Sequence, residues 1–239
     1  MNEAMKAFRD LRYQVFYRLL MRRAELLTLG APDSICKWTI CPTGLGKQSI
    51  VYSAGLGSDI TFEHALAAKF GCELLLCDPS PTGIKTMALP ENRIPQFHFF
   101  PLALAGRSGE LSLAPPLEPT GDSWFASAQA PGSLKVSSAD LGSLMRQNKH
   151  DHIDLLKMDI EGSEYEVIND ILKNELPIGQ ICVEFHHGIL PGIRRRQTIT
   201  AMLRLIARGY KLVDQTGFNH TFVRTLDKAA RLQTPSSFS

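Results

Sequence analysis

The stretch LLKMDIEGSEYEVI, residues 155–168, joins an apolar run to a segment with helical spacing. Two carboxylates, Asp159 and Glu161, and then Gly162 stand between the two halves. A short apolar run closed by a turn signal is typical of a buried strand, and glycine permits a sharp turn after it. Carboxylates are rarely buried without a partner. The stretch therefore predicts a strand–turn–helix unit whose turn carries two carboxylates with a functional use.

The helical half of this stretch begins with a capping pattern. Ser163 is followed three residues later by Glu166, which is the spacing of a capping box at a helix start. Glu164 and Glu166 are interpreted as serving the helix N-terminus and its dipole. Asp159 and Glu161 then remain for chemistry at the carboxyl end of a parallel strand, where open α/β sheets bind ligands.

Strands and helices alternate along the rest of the chain, which predicts an α/β fold with a mostly parallel sheet and helices on both faces. The last two apolar runs, YKLVDQTG and NHTFVRT, predict a hairpin around Thr216 and Gly217. The other predicted strands are SIVYSAGLG, ELLLCDPS, FHFFPLALAG, HIDLLKMDI and IGQICVEFHH, and the predicted helices are DITFEHALAAKFG, ADLGSLMRQN, GSEYEVINDILKNEL and RRRQTITAMLRLIARG.

Two segments fall outside this alternation. The first thirty residues have amphipathic helical spacing that ends at Gly30, Ala31 and Pro32, so residues 1–32 are predicted to form a helical extension and residues 33–239 the α/β domain. Residues 113–134, LAPPLEPTGDSWFASAQAPGSL, are rich in Pro, Ser, Gly and Ala and predict a long irregular connection or a lid.

Composition excludes several classes of protein. The chain has 239 residues, 44% of them hydrophobic, and its net charge of +2 is too small to favour nucleic acid or a membrane as the main partner. No apolar run approaches the roughly 20 residues of a membrane span, and the first residues lack the apolar core of a secretory signal. The five cysteines form no CxxC pair and are expected to be reduced, buried thiols of a cytoplasmic protein.

A second strand–turn–helix unit, IVYSAGLGSDITFE at residues 50–63, carries Gly55 and Gly57 in its turn. Asp78 follows at the end of the next predicted strand, about 20 residues on, where an acid takes the ribose hydroxyls of a bound nucleotide or nucleoside. The alternative role for Asp78 is to cap a turn beside Pro79. A dinucleotide fingerprint would need a third glycine where this chain has Ile60, which disfavours NAD.

The strand IGQICVEFHH offers further polar side chains. Because side chains alternate along a strand, Glu184 and His186 are predicted to share a face, with His187 on the other. His186 is either a core histidine or part of a pocket shared with Asp159. The candidate set for Mg²⁺ or Mn²⁺ consists of Asp159, Glu161, Glu184 and His186, because such ions suit oxygen ligands with an imidazole. A metal-free site is the preferred interpretation.

The chain resembles class I S-adenosylmethionine-dependent methyltransferases, and specifically the FkbM family. LLKMDIEGSEYEVI is similar to the signature block of that family, ICVEFHHG to its following strand, and IVYSAGLGSDITFE and LLLCDPSP to its cofactor motifs. The resemblance spans about residues 35–224. It implies a Rossmann-like three-layer sandwich with a seven-stranded, mostly parallel sheet and a C-terminal antiparallel hairpin.

The resemblance also implies the roles of individual residues. The glycine turn would pass under the methionine moiety, Asp78 beside Pro79 would hold the ribose, and Ala103 and Leu104 would flank the adenine. Many class I enzymes have an acid two residues before the first glycine, where this chain has Ser53. The amino-acid end of the cofactor is therefore assigned to Asp59 or Glu63. The implied cofactor residues are Ser53, Gly55, Gly57, Asp59, Glu63, Asp78, Pro79, Ala103, Leu104 and Asp159.

The predicted function is S-adenosylmethionine-dependent methylation, with a hydroxyl of a small molecule as the acceptor. Asp159 is the first candidate for the base, His186 is the alternative, and Glu161 would orient the acceptor. The competing hypotheses are a catalytically idle binding module and an NAD-dependent enzyme. The partners expected are a small-molecule acceptor and a second copy of the chain through the N-terminal helix, without nucleic acid or stable membrane insertion.

Overall fold

The structure is a computed structural model that describes residues 14–34, 36–118, 121–127 and 130–225. Residues 14–20 are helical and are labelled α1. The other helices are α2 (Thr61–Phe70), α3 (Pro81–Ala88), α4 (Leu141–Gln147), α5 (Glu164–Lys173) and α6 (Arg195–Ala207), with one 3₁₀ turn at Pro90–Asn92. The strands are β1 (Leu27–Leu29), β2 (Trp38–Ile40), β3 (Ile50–Ala54), β4 (Glu73–Cys77), β5 (Phe97–Phe100), β6 (Ala103–Leu104), β7 (Gly109–Ala114), β8 (Phe125–Ala126), β9 (Leu134–Ala139), β10 (Ile153–Met158), β11 (Ile178–Glu184), β12 (Lys211–Thr216) and β13 (Asn219–Val223).

Seven strands form one sheet in the order β12-β13-β11-β10-β3-β4-β5. Strand β13 runs antiparallel to both β11 and β12, and the pairs from β11 to β5 are parallel. The seven-stranded, mostly parallel sheet and its C-terminal hairpin are thus confirmed. Because β3 and β10 are adjacent in the middle of the sheet, the glycine turn and the Asp159 turn lie next to each other at its carboxyl edge.

Helices cover both faces of this sheet, which gives three layers. Leu156 of β10 belongs to the apolar cluster that includes side chains of α4, α5 and α6. The preceding residue, Leu155, belongs to a second cluster with side chains of α2 and with Trp38 of β2. Successive strand residues point to opposite faces, so the two clusters fill the two sides of the sheet.

A second sheet, in the order β6-β9-β7-β8, was not predicted. The segment FHFFPLALAG was expected to be one strand, but β5 ends at Phe100 in the main sheet and β6 begins the second sheet at Ala103. Within residues 113–134, expected to be irregular, Leu113 and Ala114 end β7 and pair with β8, and Leu134 begins β9. Backbone pairing therefore organises part of the segment that composition alone marked as a loop.

The N-terminal segment also differs from its prediction. The described helix ends at Leu20 instead of near Gly30, and residues 27–29 form β1, which pairs with β2. Tyr17 of α1 hydrogen-bonds through its hydroxyl to His220 Nε2 at 3.0 Å, which joins this helix to β13. Residues 1–13 lie outside the described part of the chain. The domain boundary at residue 32 and the homodimer contact stay predictions.

Candidate active site

A cavity of about 590 Å³ opens at the carboxyl ends of β3, β4, β10 and β11, beside the second sheet. This is the edge at which open α/β sheets bind ligands. Every residue predicted for cofactor binding or catalysis lines the cavity except Ser53, which is buried behind it. The structure therefore brings together residues that lie up to about 130 positions apart in the sequence, because four separate strands of the main sheet end at one place.

The glycine turn is fixed by close packing against the Asp159 turn. Gly55 has a φ of +77°, and a Cβ atom at this position would overlap the carbonyl oxygen of Asp159. The Asp159 backbone N–H in turn donates to the Ala54 carbonyl oxygen at 3.0 Å. Gly55 was predicted to give room for a ligand, but in the structure it first gives room for the neighbouring strand end.

Asp78 closes the same turn from the β4 side. Its Oδ2 accepts hydrogen bonds from the backbone N–H groups of Leu56 at 2.8 Å and Gly57 at 3.1 Å, and its Oδ1 accepts from Ser80 at 2.8 Å. Asp78 as a residue is only 5% exposed, yet it lines the cavity. Asp78 thus combines the turn role that was considered for it with a position that suits ribose binding.

Ser53 stands two residues before Gly55, where many class I enzymes have an acid, and a buried carboxylate from another element lies beside it. Ser53 donates to Glu63 Oε1 at 2.6 Å, so a glutamate from α2 places its carboxylate beside the serine. Lys157 Nζ lies 3.8 Å from the same Oε1, donates to the Gly55 carbonyl oxygen, and lies 5.3 Å from the centre of the Trp38 ring. Glu63 therefore supplies the acid that Ser53 does not.

Asp59, the other acid considered for the amino-acid end of the cofactor, is already engaged. Its Oδ1 accepts from the Thr61 backbone N–H at 2.8 Å, and its Oδ2 accepts from the Ser34 hydroxyl at 2.6 Å. Burial acts to raise the pKa of Asp59, but the bonds from Ser34 and Thr61 outweigh it and lower the pKa. Asp59 lines the cavity and fixes the start of α2.

The apolar wall of the cavity comes from the two sheets. Ala103 and Leu104 of β6 are buried and line it, as the adenine assignment requires. Leu111 and Leu113 of β7 extend this wall. Asp122, Ser123 and Trp124 cover the cavity from the segment before β8, and the Ser58 hydroxyl donates to Asp122 Oδ2.

His186 stands among three carboxylates. Its Nδ1 donates to Glu164 Oε1 at 2.8 Å, and its Nε2 lies 3.2 Å from Glu161 Oε2 and 3.5 Å from Asp159 Oδ1. Glu184 also lines this end of the cavity, whereas His187 bonds to Thr198 on α6. The predicted alternation of Glu184, His186 and His187 is thereby confirmed.

Glu164 explains why this turn holds its shape. Ser163 has helical dihedral angles and makes no side-chain cap, so the predicted capping box with Glu166 is wrong. The fully buried Glu164 carboxylate instead accepts from the backbone N–H groups of Ile160 and Gly162 and from His186. The turn needs this brace because Glu161 and Gly162 both have positive φ, +49° and +103°.

The carboxylates and His186 shift one another's protonation. Burial, together with the nearby negative charge of Asp159, raises the pKa of Glu184 to about 7. Burial would lower the pKa of His186, but the hydrogen bond and charge of Glu164, with Glu161 and Asp159, raise it to about 9. His186 is therefore an imidazolium at neutral pH. Burial also raises the pKa of Glu161.

Three of these side chains form a set that suits a divalent cation. Ligand atoms of Asp159, Glu184 and His186 lie within 4.8 Å of one another. Carboxylate oxygens with an imidazole nitrogen are donors that suit ions such as Mn²⁺. The sequence-based preference for a metal-free site stays a prediction.

Sequence reasoning missed some of the residues that line the cavity. Lys157 was counted as part of an apolar strand, although a lysine inside the run LLKMD was a signal that it has a special environment. Trp38, Ser34 and Cys36 precede the recognised motifs and carried no signal of their own. Asp122 lay in the segment that was treated as a lid.

Residues 47–212 match the model of the FkbM methyltransferase domain family. This match covers more than half of the chain, and the chain therefore belongs to that family. The matched region contains the glycine turn, Asp78, the Asp159 turn and His186. The family and the fold give S-adenosylmethionine as the cofactor of this domain.

Two curated relatives are probable methyltransferase-like protein 24 from human and from rat. The human protein is 29% identical over 160 residues, which is 65% of this chain and 38% of the relative. The rat protein is 30% identical over 142 residues, 59% of this chain and 33% of the relative. The chain thus spans less than two fifths of the length of the curated relatives it matches.

Two solved structures show a more distant likeness. They are the Methanococcus jannaschii fibrillarin pre-rRNA processing protein, with a TM-score of 0.42, and M. jannaschii TYW2 in complex with AdoMet, with a TM-score of 0.37. Both are 11% identical to this chain and cover 76% and 86% of it, over 69% and 90% of their own lengths. The strand order of the seven-stranded sheet by itself defines the fold.

The residues present fit the cofactor. The cavity has an apolar wall for a base, the buried acid Asp78 at a glycine turn, and the buried pair of Glu63 and Lys157.

No helix among the described residues has both the length and the apolar character needed to cross a membrane.

Proposed function

We propose that this domain transfers a methyl group from S-adenosylmethionine to a hydroxyl of a small molecule. One observation carries the proposal: Asp159, Glu161, Glu184 and His186 face the same cavity as the glycine turn and Asp78. Such a group of titratable side chains is typical of a catalytic site and favours an enzyme over an idle binding module. The acceptor, the cytoplasmic location and a homodimer through the N-terminal helical extension belong to the same proposal.

The cofactor would lie along the edge of the main sheet. Gly55 and Gly57 would pass beneath it, Asp78 and Pro79 would hold the ribose, and β6 would flank the adenine. When bound, the cofactor supplies a methyl group on a positively charged sulfur, which is a good leaving group. The protein's own part is to align the acceptor with that group and to exclude water.

Asp159 is the proposed base. An alcohol is a poor nucleophile until its proton is partly removed, and a positioned base contributes roughly 10²–10⁴-fold. His186 is the weaker candidate because its pKa of about 9 leaves it protonated at neutral pH. Its imidazolium instead lies near Asp159 and Glu161 and fixes their carboxylates in place. Glu161 would then orient the acceptor.

The test is the turnover of Asp159→Asn. We expect this variant to bind the cofactor nearly as well as the wild type and to lose at least about 100-fold in turnover, as expected when base catalysis is lost. Asp170→Asn, a change on α5 outside the cavity lining, is the matched control and should keep its turnover.

His186→Asn provides the opposing arm, because asparagine can still donate to the buried Glu164. It should reduce turnover less than Asp159→Asn does. If His186→Asn abolishes turnover and Asp159→Asn spares it, the two assignments are reversed. If neither variant changes turnover, the proposed acid–base group has no catalytic role.

The donor set of Asp159, Glu184 and His186 favours a second candidate, in which a divalent cation assists the reaction. A bound cation would polarise the acceptor oxygen and replace part of the work of the base. Loss of turnover in EDTA, with recovery on adding Mg²⁺ or Mn²⁺, would favour this candidate. Unchanged turnover in EDTA would favour the metal-free site.

A further inference from the structure

Glu184, the last residue of β11, is the carboxylate of the site to which the acid–base mechanism gives no task. It is partly buried and lines the cavity, and one of its oxygen atoms lies within 4.8 Å of ligand atoms of Asp159 and His186. None of the residues that the structure describes donates a hydrogen bond to the Glu184 carboxylate. A partly buried carboxylate without a donor is costly, so this side chain needs an explanation.

The position of Glu184 in the sheet places it on the acceptor side of Asp159. Strands β11 and β13 lie on one side of β10, and β3 and β4, which lead to the glycine turn and Asp78, lie on the other. Asn219 of β13 is the register partner of Glu184 and also lines the cavity. Direct antiparallel partners have their side chains on one face, with Cβ atoms about 4.5–5.5 Å apart. Glu184 and Asn219 therefore form one polar wall of the cavity, away from the residues assigned to the cofactor.

This wall offers acceptors of hydrogen bonds. The Asn219 side-chain N–H donates to the Lys37 carbonyl oxygen at 3.5 Å, which leaves the Asn219 amide oxygen as an acceptor. The Glu184 carboxylate has only acceptor atoms when it is ionised. A ligand that complements the wall must therefore bring donors.

The charges around Glu184 are also unbalanced. His186 lies beside three carboxylates, those of Asp159, Glu161 and Glu164. Lys157 Nζ lies 3.8 Å from Glu63 Oε1. Two cations thus face five carboxylates, Glu184 included. The resulting negative charge favours a ligand group that is positively charged over one that is neutral or anionic.

We propose that Glu184 and Asn219 bind an ammonium group that the acceptor carries next to the methylated hydroxyl, so that the acceptor is an amino alcohol. An ammonium group has three N–H donors and a positive charge, which complement a carboxylate and an amide oxygen. It has no lone pair, so the hydroxyl remains the nucleophile. Hydrogen bonds of about 2.8–3.0 Å are long enough for groups on neighbouring carbon atoms to contact Asp159 and Glu184 together. The inference rests on the proposed function, which places the acceptor hydroxyl at Asp159.

The test compares two small probes on the complex with S-adenosylhomocysteine. At neutral pH, trans-2-aminocyclohexanol carries an ammonium group beside its hydroxyl, and trans-cyclohexane-1,2-diol has a second hydroxyl in that place. NMR titration in the presence of EDTA measures both dissociation constants. The amino alcohol should bind the wild type roughly 10- to 100-fold more tightly than the diol, the effect of a hydrogen bond to a charged group. It should also shift the side-chain amide signals of Asn219.

Three variants locate this preference. Glu184→Gln keeps the shape of the side chain without its charge and should reduce the preference to less than about threefold, and its NMR spectrum shows whether it is folded. Asn219→Ala, on the neighbouring strand, is a second measurement and should reduce the preference at least about threefold, the effect of one lost hydrogen bond. Glu166→Gln, at an exposed position of α5 outside the cavity lining, is the matched control and should keep the wild-type preference.

Several results would overturn the inference and leave the proposed function intact. They are a wild-type complex with S-adenosylhomocysteine that binds both probes equally, prefers the diol or binds neither, and folded Glu184→Gln and Asn219→Ala variants that keep the wild-type preference. Tighter binding of the diol than of the amino alcohol when Mn²⁺ replaces EDTA would likewise overturn it, in favour of the divalent cation. A wild-type protein that does not bind S-adenosylhomocysteine would overturn both the inference and the proposed function.

Discussion

Asp78 connects the cofactor site to the backbone of the glycine turn, because one carboxylate accepts from Leu56, Gly57 and Ser80. Asp78→Ala should weaken S-adenosylmethionine binding by about 1–3 kcal/mol, the cost of leaving the ribose hydroxyls without their charged acceptor. Asp78→Asn, which keeps one acceptor oxygen, should lose less. Calorimetric affinities for the two variants measure this, and an alanine variant with wild-type affinity would remove Asp78 from the site.

The residues that the sequence predicted well are those whose neighbours along the chain determine their position. Gly55, Asp78 and Asp159 each follow a strand, so the fold alone carries them to the cavity. The contact of Glu164 with His186 was not predicted, because the two residues are 22 positions apart and a local capping rule considers only near neighbours in the sequence. Lys157 was missed for the same reason, since its partners come from β2, the glycine turn and α2.

At the scale of elements, the segment before β8 is the predicted lid of the site. Asp122, Ser123 and Trp124 cover the cavity, and β8 pairs with β7 over only two residues. This segment lies within residues 115–131, where the composition predicted a lid, and lids commonly exclude water from transferase sites.

Hydrogen exchange tests the lid. With S-adenosylhomocysteine and acceptor bound, amides of residues 121–127 should exchange at least about tenfold more slowly than in the free protein, because closure shields them. The amides of β10 serve as the internal control and should not change. Equal exchange of residues 121–127 in both states would mean that the segment is a fixed wall.

The second sheet was not predictable from pattern because two of its strands are very short and a third mixes apolar with polar residues. β6 and β8 have two residues each, and β9 reads LKVSSA, which lacks a continuous apolar face. Their pairing is determined by partners from distant parts of the chain, and such pairing leaves little local signal. The long parallel strands of the main sheet are apolar on both faces and were recognised for that reason.

At the scale of the whole molecule, His186 and Glu184 make the free energy of unfolding depend on pH. The pKa of His186 is raised from 6.5 to about 9, so its contribution is fully present below pH 6.5 and is lost as the pH rises through about 9. The pKa of Glu184 is raised from 4.5 to about 7, so its contribution is lost as the pH rises through about 7. Both shifts have the same sign.

We therefore expect these two groups to lower the free energy of unfolding of the ligand-free domain between about pH 5 and pH 9. Urea unfolding in the presence of EDTA at several pH values measures the slope. Glu184→Gln should flatten the slope below about pH 7, whereas the control Glu166→Gln should retain it. A Glu184→Gln slope equal to that of the wild type would contradict the assignment.

The packing of Gly55 against the Asp159 carbonyl oxygen has a consequence for inheritance. Every codon for glycine begins with two guanines, and each single-base change that alters the amino acid introduces a side chain with a Cβ atom or a stop. The genetic code thus offers this position no mild missense change. Selection in any lineage that needs the domain should remove every nonsynonymous allele at codon 55, whatever its polarity or size.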